Sequence, residues 1–317
     1  MNKTYIQQIL EEVNAVTEHC GPVLLYGENI DTGSRIAGLA RGLKVNPAGR
    51  ILNIGNCELT HIGLGLGMML DGGRAVVFMK QLDFLLLGLD QMMNTFNIIR
   101  SCPEPQRLGS FTIFVIVCDQ GYQGPQSSLN TASDFASLAN IPVYCLNGAE
   151  DVACIVRAQF VAPGFRMICL SQRLFGAPVL EVPATPLAND LAVFQYGSGD
   201  DLTIASYNFA LRDGIELAAR LRNAGVHSDL FHVNYVPRLD LSVLMKSCAR
   251  TGRLVLVDDS KSVTKFGDTL VTELKVHGTD VNVLSLGRRG SSTADYGVSP
   301  DRFILDHDRV LSFASRA

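Results

Sequence analysis

The 317-residue chain carries 27 Lys and Arg against 31 Asp and Glu, a formal net charge of −4, and is 47% hydrophobic with 18% charged residues. That balance excludes a disordered or fibrous chain, and the length suffices for two domains with their own cores. No basic block and no Arg/Lys stripe with interleaved aromatics occurs, so a nucleic-acid interface is not expected.

The opening segment, residues 4–19, reads as an amphipathic helix with adjacent Glu11 and Glu12. It lacks the apolar stretch and small-residue cleavage site of a signal peptide. No run reaches the ~18 apolar residues of a membrane helix. The eight cysteines are scattered without a CxxC pair, and several sit inside apolar runs. Reduced core cysteines in a cytoplasmic protein, with no metal site, are therefore expected.

Strand and helix patterns then alternate. Strands are expected at 23–27, 50–54, 75–79, 112–118, 143–146 and 166–170, and helices at 33–43, 59–71, 83–100, 133–139 and 149–160. The strands are continuous apolar runs, the mark of a parallel sheet covered on both faces. Residues 171–200, rich in Pro and Gly, show no period and read as a domain connection. The alternation restarts with strands at 202–207, 228–233, 253–259 and 281–286, separated by helices at 210–224, 240–250 and 267–276.

Glu58 stands between strand 50–54 and the stretch LTHIGLGLGMML. A carboxylate there faces the positive end of a helix, which by itself is a common helix-capping charge. The glycines weaken that simple reading. Gly63, Gly65 and Gly67 each cost up to about 1 kcal/mol of helix propensity. Gly63 and Gly67 share a face, which predicts close approach by a second helix. His61 reads as an exposed or partner-facing helix residue. In the next segment Asp83, Asp90 and Asn94 fall near one helical face, the pattern of a solvent-facing side.

In order, YGEN at a strand end, Glu58 opening a glycine-bearing helix, a strand, and Asp83-Phe84 followed by Asp90-Gln91-x-x-Asn94 form a combination. It resembles the pyrimidine-binding domain of thiamine-diphosphate enzymes, in particular the beta subunit of the decarboxylating component of 2-oxoacid dehydrogenases and the second half of transketolase. Residues 202–260 resemble that family's final domain. The resemblance implies an α/β protein of two domains: a parallel-sheet pyrimidine-binding domain over 1–188, then a smaller α/β domain of transketolase C-terminal type over 189–317.

It also implies roles. Glu58 would hydrogen-bond to N1′ of the cofactor's aminopyrimidine and so activate it, with Ile62, Leu64 and Leu66 as apolar surroundings. Phe84 would stack on the pyrimidine ring. Asp90 and Gln91 would serve subunit packing or support the residues that touch the cofactor, rather than catalysis. The cofactor would be thiamine diphosphate, with Mg²⁺ held mainly by a partner. This chain has no G-D-G motif with a following Asn site for the diphosphate, so the resemblance implies an alpha-type diphosphate-binding subunit in an α2β2 heterotetramer acting on a small keto substrate. The Gly63/Gly67 face would then lie between subunits.

Two departures stand out. The loop 119–134, where the family often carries a histidine, has none; Gln123, Gln126, Ser127 and Asn130 are its candidate substrate contacts. Before the Pro turn of the second unit, Asn234-Tyr235 replaces the family's arginine-threonine. Three functions follow: a beta subunit for 2-oxoacid decarboxylation and acyl transfer, a split transketolase-like subunit moving a two-carbon ketol unit between sugars, or a non-catalytic scaffold subunit.

Overall fold

Eight consecutive buried residues, Ser110–Val117, form a central strand of the first sheet. They belong to a computed structural model that describes residues 3–102, 108–119, 127–288 and 305–315. The strands of this sheet are β1 (Leu24–Gly27), β2 (Arg50–Asn53), β3 (Arg74–Met79), β4 (Ser110–Val117), β5 (Val143–Leu146) and β6 (Gly164–Ser171). They lie in the order β2-β1-β3-β4-β6-β5, every neighbouring pair parallel. The continuous apolar runs are thus explained by burial on both faces. Strand order reverses beside β1; in open α/β sheets the ligand crevice lies at such a point, outside the carboxyl ends of the strands, here those of β1, β2 and β3.

Helix α1 (Tyr5–Thr17) starts with a capping box between Thr4 and Gln7. It packs against α5 (Ala149–Gln159), where Arg157 makes a two-pronged bond to the buried Glu12 carboxylate at 2.6 and 2.8 Å. Helix α2 (Glu58–Leu70) lies between β2 and β3, α3 spans Phe96–Ser101, and α4 spans Ala132–Ala139.

The second sheet holds β7 (Thr185–Pro186), β8 (Val193–Gly197), β9 (Leu202–Tyr207), β10 (Ser228–Val233), β11 (Arg253–Asp258) and β12 (Asn282–Gly287). Its order is β12-β11-β9-β10-β8-β7; β8 runs antiparallel to both its neighbours, β10 and β7, and the remaining pairs are parallel. Helices α6 (Leu211–Asn223), α7 (Ser242–Thr251), α8 (Gly267–Val276) and α9 (His307–Ser315) accompany it. The expected connection at 171–200 therefore supplies a hairpin to this sheet, and that hairpin straddles residue 188.

Two expected helices differ. Residues 33–43 form successive turns, with Arg35, Ile36 and Ala37 at φ of 47°, 52° and 54°. Left-handed backbone costs about 1–2 kcal/mol per residue; burial of Ile36 and Leu39 offsets it. The expected helix 83–100 is a 3₁₀ segment (Leu82–Gly88), a π turn (Gln91–Thr95) and then α3. Gly88 brings that segment onto α2: a Cβ there would lie 2.6 Å from the Ile62 side chain and 3.2 Å from the Glu58 carbonyl.

The two sheets meet at β5. Val143 and Tyr235 exchange main-chain hydrogen bonds at 2.7 and 3.0 Å, and the buried Asn234 side chain accepts from the Cys145 N–H at 2.9 Å. The Asn234-Tyr235 departure is thus part of the junction between sheets. Among the described residues no helix is long and apolar enough to cross a membrane.

Candidate active site

Glu58 follows β2 and Phe84 follows β3, so both stand at the carboxyl-end crevice flanking β1. The segment before Glu58 is pinned by three bonds. Ile54 N–H donates to the Gly27 carbonyl at 3.1 Å, the Asn53 side chain accepts from Ile30 N–H at 3.0 Å, and the His61 ring Nε2–H donates to the Gly55 carbonyl at 2.7 Å. His61 is buried, contrary to the exposed or partner-facing position expected; the Gly55 carbonyl supplies the partner that burial requires.

Glu58 itself is half-buried at the first position of α2. Its carboxylate accepts no side-chain hydrogen bond among the described residues. Glu28, directly after β1, differs: Asn29 donates to it at 2.9 Å, and the Asn56 amide reaches both its oxygens at 3.1 Å. Cys57 caps the helix in sequence only, with its exposed thiol 2.9 Å from the Thr60 hydroxyl. Hydrogen bonding to Thr60 lowers that thiol's pKa.

The apolar surroundings expected for Glu58 are only partly present. Ile62 and Leu66 are buried in the core beneath α2, whereas Leu64 points to solvent. Gly65, not Gly63 or Gly67, makes the tight internal contact: a Cβ there would fall 2.1 Å from the Phe111 ring. Gly63 meets only Gln91 at 3.8 Å, and Gly67 meets nothing within 4 Å. With Leu59 and Leu70 they leave an exposed apolar face on α2, beside Leu86 and Leu87 of the 3₁₀ segment.

Phe84 is half-buried and packed on the core. Asp83, just before it, is not on a shared solvent face with Asp90 and Asn94. Its Oδ1 accepts from Ser128 N–H at 3.1 Å and Leu129 N–H at 3.0 Å, whereas Asp90 and Asn94 bond to each other at the surface at 2.7 Å. Burial raises the Asp83 pKa, against those two N–H donors and the charge of Lys261.

The candidate substrate loop divides. Gln123 and Gln126 lie outside the described residues. Ser127 donates from its hydroxyl to Gln81 Oε1 at 3.1 Å, near the crevice. Asn130 is fully buried and turned away from it: it donates to the Asp259 carbonyl at 3.0 Å and accepts from Asn208 at 2.7 Å. Its amide is consumed in the seam between the sheets.

That seam also holds a buried group of charges. Arg173 donates to Asp259 Oδ2 at 3.0 Å and lies 3.6 Å from Asp119 Oδ2, with both carboxylates buried. Burial pushes Asp119 up to about 6, while Arg173 pulls it down. Sequence reasoning missed this group because its members lie far apart in the chain.

No protein-family model matches the chain. The acetoin:2,6-dichlorophenolindophenol oxidoreductase subunit beta of Cupriavidus necator is 23% identical over 252 residues, covering 75% of this chain and 73% of that protein. The pyruvate dehydrogenase E1 component subunit beta of Rhizobium meliloti is 21% identical over 243 residues, covering 74% of this chain and 51% of that one. This chain is similar to dehydrogenase E1 beta subunits. A solved structure described as split gene transketolase, inactive beta4 tetramer, matches with a TM-score of 0.71 at 16% identity, covering 99% of this chain and 97% of that chain. The chain therefore shares the fold of that structure. Among its described residues, no group of three His, Cys, Asp or Glu is placed to hold a metal ion.

Proposed function

We propose that this chain is the pyrimidine-binding beta subunit of a heteromeric thiamine-diphosphate enzyme that decarboxylates a 2-oxoacid and transfers the acyl unit. One observation carries the reading. At the carboxyl-end edge where the strand order reverses, Glu58 presents a carboxylate without an internal hydrogen-bond partner among the described residues, whereas the Glu28 carboxylate is held by the amides of Asn29 and Asn56.

The residues fit the pyrimidine half of the cofactor. When bound, thiamine diphosphate supplies a thiazolium carbon that can add to a substrate carbonyl. Glu58 would hold a proton at the pyrimidine ring nitrogen by hydrogen bond. Phe84 would cover the ring face and orient it. His61 fixes the backbone that carries Glu58. Mg²⁺ and the diphosphate belong, on this reading, to an alpha-type partner in an α2β2 assembly. The exposed apolar face of Leu59, Gly63, Gly67 and Leu70 supports such a partner, since monomers rarely leave such patches bare.

The likeness to a split transketolase favours a second reading, transfer of a two-carbon ketol unit between sugars. A scaffold subunit without catalysis is the third. Calorimetry of thiamine diphosphate with Mg²⁺, on this chain alone and with its alpha-type partner, tests the first two against the third. Binding only in the pair, and loss of cofactor C2–H exchange in Glu58→Ala, are expected. Equal exchange in Glu58→Ala and wild type would overturn the catalytic reading. Turnover of pyruvate with dichlorophenolindophenol as acceptor, against turnover of a ketose phosphate, separates the first two.

A further inference from the structure

The peptide at Ser128 is gripped from both sides of the molecule. Its N–H donates to Asp83 Oδ1 at 3.1 Å, and its carbonyl accepts from the Lys261 ammonium at 2.8 Å. Asp83 belongs to the first sheet's crevice and directly precedes Phe84. Lys261 belongs to the turn after β11 in the second sheet. The same turn donates the Lys261 N–H to the Asn130 carbonyl at 2.7 Å, and its Ser262 hydroxyl meets the Ser133 hydroxyl at 2.9 Å.

Lys261 is only 7% exposed. A lysine so deeply placed is uncommon, because desolvating an ammonium is costly unless strong acceptors face it. Plain adhesion between two domains would be served as well by apolar side chains. The ammonium instead reaches a main-chain carbonyl of the loop next to Ser127, and its charge acts on Asp83. A continuous path therefore runs from the second domain through Lys261, Ser128 and Asp83 to Phe84.

We propose that Lys261 is a positioning residue: it sets the Ser127–Thr131 segment and Asp83 against the crevice, so that the second domain controls how substrate is received. The inference rests on the function proposed above for its kinetic consequence, but not for its structural one.

The test uses Lys261→Met, which keeps the aliphatic stem, and Lys261→Arg, which keeps the charge. Hydrogen exchange is read at the amides of Ser128 and Leu129, relative to core amides of β4. In the pair with the alpha-type subunit, cofactor C2–H exchange and the KM for pyruvate are read alongside. Lys261→Met is expected to speed exchange at Ser128 and Leu129 at least tenfold relative to β4 and to raise KM about tenfold, with C2–H exchange within twofold of wild type. Lys261→Arg is expected to recover most of both effects. If Lys261→Met does not fold, Lys261→Gln is read in the same way. Unchanged relative exchange at Ser128 and Leu129, or faster exchange with an unchanged KM, overturns the proposal. Absence of C2–H exchange in the wild-type pair marks failure of the function reading instead, and the amide exchange still decides the grip.

Discussion

The Tyr26 hydroxyl donates to the main-chain carbonyl of His61 at 2.5 Å, and the two rings meet edge-on at 6.5 Å. His61 in turn holds the Gly55 carbonyl, three residues before Glu58. His61→Ala removes that ring bond and leaves the carbonyl without its donor, at a cost of about 1–3 kcal/mol. Urea unfolding should show the loss, and cofactor affinity of the assembled enzyme should fall with it. An unchanged midpoint would mean that the bond contributes nothing.

The glycines of α2 should separate into two kinds. Gly65→Ala drives a methyl into the Phe111 ring, and overpacking of this kind costs about 1–3 kcal/mol. Gly67→Ala meets open space, so the isolated chain should gain about 0.5–1 kcal/mol from the better helix former. The same methyl should weaken association with the alpha-type subunit if that face is the interface. Thermal unfolding of the chain and sedimentation of the pair read the two effects independently. A stabilised chain with unaltered association would remove Gly67 from the interface.

Arg173 neutralises two buried carboxylates at once. Arg173→Met strands Asp119 and Asp259, and breaking a buried pair from one side costs about 3–5 kcal/mol. Adding Asp119→Asn to that variant should restore part of the loss, because one stranded charge is removed. A double-mutant cycle with no coupling would show that Arg173 and Asp119 act separately.

His232 is wholly buried, and burial lowers its pKa to about 4. Its Nε2 lies 3.2 Å from the Asn147 side-chain amide, which donates to the neutral ring. The unfolded chain takes up a proton near pH 6.5, where the folded chain does not. The contribution of neutral His232 is therefore intact above pH 6.5 and is lost as pH falls toward 4, by up to about 3 kcal/mol. Asp119 at about 6 and Asp151 at about 7, both raised by burial, act in the opposite sense, losing stability as pH rises. The measurement is accordingly a difference: the stability advantage of wild type over His232→Gln should shrink from pH 6.5 to 4. A constant difference across that range would contradict a neutral His232.

The elements that the chain declares locally are legible in its sequence. β4 and β9 read as buried strands because every residue in them is apolar or small, and Glu58 fell at a helix start because strand end and helix start adjoin in sequence. What escaped depends on partners far along the chain. Asn130 looks like a loop polar group until Asp259, 129 residues away, takes its amide. Asn234 looks like a lost arginine until Cys145, 89 residues away, donates to it. Residues 33–43 have helical composition, yet burial of Ile36 and Leu39 overrides it. The hairpin of β7 and β8 was hidden by Pro186, which tolerates an edge position but erases the alternation that marks a strand.

That hairpin also limits how the two halves can be exchanged. A fragment starting at residue 189 would keep β8 and lose β7, leaving a bare strand edge able to pair with any other chain. Recombination between related subunits that swapped only the second half at that point would carry an unfinished sheet into a foreign partner. A crossover before Thr185 moves the sheet whole, so the unit that can be inherited intact begins inside the segment that looks like mere tether.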